Sequence, residues 1–93
     1  MDRKALIDNL HKQLLRWNTE IDKLELKAQQ ASGEAKRDLD NTVADMKQRK
    51  EEAKTRVAEL QHASDSAWEE IKNGADEAFD SLKRAFESAK SKF

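Results

Sequence analysis

The sequence predicts an all-α protein: an antiparallel bundle of three helices of about 30 residues each, or a longer-helix hairpin that oligomerises. Three observations carry this prediction. Apolar residues near the start recur at alternating steps of three and four, a period that strands cannot reproduce. Charged residues make up 40% of the chain, with 13 alanines, no proline, no cysteine and two glycines, a composition suited to long helices. Two short breaks, Ser32-Gly33 and Ala63–Ser66, divide the 93 residues into near-equal thirds. The expected helices are about 2–31, 34–62 and 66–92, within one domain spanning 1–93.

The first helix carries the cleanest pattern. Ile7, Leu10, Leu14, Trp17, Ile21, Leu24, Ala28 and Ala31 fall on heptad a/d positions over more than three repeats. Leu6 and Leu15 widen that stripe, which predicts burial against more than one neighbour. After it, Ser32 is a candidate cap and Gly33 disfavours continued helix by about 1 kcal/mol relative to alanine.

The second helix is poorer in core residues. Leu39, Val43, Met46, Ala53, Val57 and Leu60 keep the same spacing only if Lys50 takes a core position, with its stem on the seam and its ammonium in water. Residues 47–56 carry five basic and two acidic side chains, a locally positive face. Beyond the second break, Ser66 and Glu69 match a capping box.

The third helix follows an 11-residue period: Trp68 to Phe79, Ile71 to Leu82, Ala75 to Phe86 and Leu82 to Phe93. Eleven residues in three turns give a stripe that runs nearly straight. Charge is polarised along it. Residues 63–80 carry six acids against Lys72, and 81–93 carry Lys83, Arg84, Lys90 and Lys92 against Glu87, an order that complements the helix dipole.

Composition bounds function as well as fold. With 18 basic against 19 acidic residues the net charge is −1, so the basic surplus that a nucleic-acid binder needs is missing. The absence of cysteine excludes a disulfide framework and a thiolate metal site. Leu, Ile, Val and Phe total only 17 residues. Interleaved charges and regular apolar spacing argue against disorder, so the reading is an ordered protein with a thin core that gains stability by self-association. No apolar run reaches the roughly 7–15 residues of a secretory signal or the roughly 20 of a membrane span, and the expected location is cytoplasmic.

Two stretches, LLRWNTEIDKLELKA and AELQHASDSAWEEIKNGADEAFDSLKRAFESAKSKF, resemble a family of small bacterial coiled-coil proteins, mostly uncharacterised, some called stress-response proteins of cyanobacterial type. The likeness rests on Leu14-Leu15-x-Trp17 and on Ala67-Trp68 with Gly74, Ala78-Phe79 and Leu82. It implies an all-helical cytoplasmic protein without catalytic residues or cofactors; Ser32-Gly33 departs from the uninterrupted helix it implies. The 11-residue tail also resembles the repeats of apolipoproteins and late-embryogenesis proteins, which implies lipid binding.

Side chains that could carry chemistry are few. His11 and His62 are the only histidines, and a hairpin turning at 32–33 would bring them to one end of two facing helices. Neither has a partner at metal-binding helical spacing, so they read as exposed helix residues and no metal site is assigned. The acids Glu51-Glu52 and Glu69-Glu70 read as solvated faces. No phosphate-cradling glycine loop or nucleophile–base pair occurs, so no catalytic residue is assigned. The residues assigned to an interaction and core stripe are Leu10, Leu14, Trp17, Ile21, Leu24, Trp68, Ile71, Phe79, Leu82, Phe86 and Phe93. The expected function is association with a second copy or a protein partner. The alternative is a membrane surface contacted by the third helix, whose aromatic stripe is edged by Lys83, Arg84, Lys90 and Lys92.

Overall fold

A computed structural model describes residues 2–92. Three helices fill nearly all of it: α1 (Arg3–Gln30), α2 (Gly33–Gln61) and α3 (Trp68–Lys92). They form an up-down-up bundle with extents of 51 × 18 × 18 Å. The chain turns at both predicted breaks, so the bundle and not a longer helix is the observed form.

Each end has a local cause. The Asp2 carboxylate accepts a hydrogen bond from the Lys4 amide at 3.0 Å and caps α1. At the far end the Ala28 carbonyl accepts from the Ala31 amide at 3.3 Å and also from Lys36 Nζ, which ties the end of α1 to the start of α2. Ser32 occupies the N-cap position of α2 without a side-chain cap bond. The turn comes from Gly33, whose φ of +63° lies in the left-handed region. Among the described residues nothing beyond the adjoining backbone lies within 4 Å of where a Cβ would sit, so a side chain here meets backbone strain rather than a clash. Gly33→Ala is therefore expected to lower stability by about 1–2 kcal/mol, read as a lower denaturant midpoint with unchanged slope.

The third helix begins later than its sequence predicts. The Ala67 amide donates to the Ser64 carbonyl at 3.2 Å, and the first helical bond runs from the Ile71 amide to Ala67. Ser66 faces Ser64, with hydroxyls 3.2 Å apart, and does not form the predicted capping box. A tertiary contact lies beside this turn. Arg3 pairs with Asp65 at 2.9 Å and lies 4.4 Å over the Trp68 ring, which fastens this turn to the start of α1.

The core has two lobes. One joins Leu10 to Ala53, Val57, Leu60, Ala75, Ala78 and Phe79. The other joins Ile21, Leu24 and Ala28 to Leu39, Val43, Met46 and Leu82. The lobes meet where α2 has no apolar residue between Met46 and Ala53. There the half-buried Arg49 turns to α3 and donates through Nη1 to the Ser81 hydroxyl at 2.5 Å, while its Nε holds Asp45 at 2.9 Å. Lys50 turns to α1, half-buried at the core register as its spacing predicts. Trp17 packs against both lobes and bridges the gap. Leu15 departs from expectation: it is 67% exposed. Leu14 takes the inward position, and its neighbour, about 100° round the helix, is carried outward.

Candidate helix-docking groove

α2 packs along its length against both neighbours, whereas Cα atoms of α1 and α3 stay more than 8 Å apart among the described residues. Large side chains span the space between them. Near the first end Leu10 and Phe79 share one core lobe, and further along Trp17 meets Phe86 edge to face with centroids 5.3 Å apart. Beyond Leu10 the two helices leave an open groove of about 1140 Å³. Trp17, Leu24, Phe86 and Ala89 line its apolar part; Leu24 and Ala89 are buried, and both aromatic rings are half-buried.

Charge is ordered along the rims. Arg3 against Trp68 and Trp17 against Phe86 fix the register of the two parallel helices. In that register each α1 residue is level with an α3 residue 65 to 69 positions later. Arg16 is thus level with Lys83, Glu20 with Glu87, and Lys23 with Lys90, all six lining the groove. Like charge faces like charge at every level: basic, acidic, basic. Glu20 and Lys23 pair at 3.5 Å along their own helix, but among the described residues no ion pair crosses the groove. Such a rim repels itself mildly and attracts a guest with the opposite order of charge.

A second groove, of about 400 Å³, runs between α1 and α2 and is lined by His11, Leu14, Leu15, Lys50, Lys54 and Ala58 among others. It is smaller and holds no tryptophan or phenylalanine ring. His11 and His62 are both exposed, and among the described residues no three His, Asp or Glu side chains are grouped as a metal ion would need.

The predicted stripe divides between core and groove. Leu10, Ile21, Leu24, Phe79 and Leu82 are buried, while Leu14, Trp17, Trp68, Ile71 and Phe86 are half-buried. Phe93 lies outside the described residues. Sequence spacing did not single out Arg16, Glu20, Lys23, Lys83, Glu87 and Lys90 as a set. Within one helix each reads as ordinary solvated charge, and the repeat becomes visible only when α1 and α3 are set side by side. Among the described residues no helix is long and apolar enough to cross a membrane. No family model matches the chain, and neither does any curated protein or solved structure.

Proposed function

We propose that this is a non-enzymatic helical-bundle protein that acts by association, taking a helix into the groove between α1 and α3. The observation that carries the reading is the groove itself. Two half-buried aromatic rings at its floor offer anchors of the kind that dominate helix docking, and an ordered set of charges at its rim would fix register. The thin apolar content of the chain points the same way, since a filled groove would add the burial that a small monomer lacks.

The membrane alternative would require α3 to leave the bundle. Phe79 and Leu82, the centre of its apolar stripe, are 7% and 0% exposed, and detachment would uncover them together with Ala75, Ala78 and Ala89. That cost favours association over lipid binding.

Tryptophan emission separates the two readings. In single-tryptophan variants (Trp68→Phe to observe Trp17, Trp17→Phe to observe Trp68), a docked helix is expected to move Trp17 emission to shorter wavelength and leave Trp68 unchanged. The guest is either the protein at rising concentration or an added amphipathic helix with acidic, basic, acidic edge charges. Trp17 emission insensitive to both overturns docking. A blue shift of Trp68 on anionic vesicles favours the membrane alternative.

A further inference from the structure

We propose that the guest is the first half of α3 from a second copy of this chain, lying antiparallel in the groove, and that two copies fill each other's grooves about a two-fold axis. This inference rests on the reading of the groove as a helix-docking site.

The edge of α3 that faces the groove carries the evidence. Along it lie Glu69, Lys72 and Asp76, then Lys83, Glu87 and Lys90. Their spacing is 3, 4, 7, 4, 3, which keeps all six on one side of the helix and is symmetric about a point between residues 79 and 80. The signs are antisymmetric about the same point: minus, plus, minus, then plus, minus, plus. A helix with this edge is complementary to itself when turned end for end. Glu69 meets Lys90 of the other copy, Lys72 meets Glu87, and Asp76 meets Lys83, each meeting occurring twice.

The register of α1 extends the match. With the two-fold between 79 and 80, the incoming Asp76 lies at the level of Arg16 and Lys83. The incoming Lys72 lies between Glu20 and Glu87, and the incoming Glu69 between Lys23 and Lys90. The guest's acidic, basic, acidic order enters a rim that runs basic, acidic, basic on both walls. The α1 residues have no part in setting the α3 symmetry, so their agreement is a separate observation. In the monomer Lys72, half-buried, pairs with the exposed Asp76 at 3.4 Å, a contact within one helix that docking exchanges for one between copies. Close to the axis the two Asp80 carboxylates approach, and each is already held by its own Arg84 at 2.8 Å. The charges choose partner and direction.

The test uses two full-length charge variants studied by sedimentation equilibrium. Lys83→Glu with Lys90→Glu, and separately Glu69→Lys with Asp76→Lys, each place like charges opposite one another in a self-pair, and each is expected to weaken self-association by at least about tenfold. Mixed in equal amounts, the two restore every opposite-sign meeting between the two α3 helices, and association is expected to return. Circular dichroism confirms that each remains helical. Asp80→Cys, in a chain with no other cysteine, is expected to form a disulfide-linked dimer on mild oxidation. Rising salt should weaken the wild-type dimer. Dimers unaffected by either reversal, or helical variants whose mixture stays monomeric, overturn the proposal. A wild-type monomer whose Trp17 emission still responds to an added amphipathic helix overturns the second copy as guest and leaves helix docking standing. A Trp17 signal that responds to nothing overturns both.

Discussion

Leu82→Ala is expected to cost about 3 kcal/mol and to lower the melting temperature by roughly 15 °C. Leu82 is fully buried on α3, within the lobe that holds Ile21, Leu24, Val43 and Met46. Truncation removes its transfer free energy and leaves a cavity that helices pinned on either side cannot close. Arg49 fastens α2 to the adjacent Ser81, which limits how far α3 can settle inward. For a domain of this size the loss is a large fraction of total stability. Thermal unfolding followed at 222 nm checks it. A loss below about 1 kcal/mol would mean that Leu82 does not sit in a core, and α3 would then be free to act on a surface by itself.

Periodicity carried most of the fold because each helix depends on it locally. All six apolar positions predicted on α2 are buried, although that helix is the least apolar of the three. The stripe stayed legible across Arg49 and Lys50 because a long basic side chain can hold a core register while its charge turns outward. What failed was decided between helices. Leu15 looked like a widening of the α1 stripe, yet it is left largely exposed at the edge of the smaller groove. Ser66 and Glu69 looked like a capping box, but Ser66 turns to Ser64 and α3 begins at Trp68, under the Arg3 guanidinium. The aromatic half of the groove was legible, since Trp17 and Phe86 lie on their stripes. Its charged half was not, because levels such as Arg16 with Lys83 exist only once two helices are aligned in parallel.

Ala53→Leu tests the packing that gives the groove its second wall. Ala53 and Ala75 are fully buried, and with Ala78 they form the small-residue side of the first lobe. Close by, the Arg56 side chain passes 3.9 Å from where a Cβ on Gly74 would stand. Small residues on both helices let α2 and α3 approach closely at this level, and a leucine has no volume to enter. The expected cost is about 2–3 kcal/mol, with α3 pushed outward at one end. Ala58→Leu, at an exposed position on the same helix, is the control and should stay within about 0.5 kcal/mol of wild type. Since α3 carries one rim of the groove, moving it alters the level of Lys83 and Lys90 against Arg16 and Lys23. In the proposed dimer Ala53→Leu should therefore weaken association as well as folding, with every groove residue unchanged, and the two losses can be measured separately by sedimentation below the melting transition. A variant that loses stability yet associates as strongly as wild type would show that the partner reads something other than the alignment of α1 with α3.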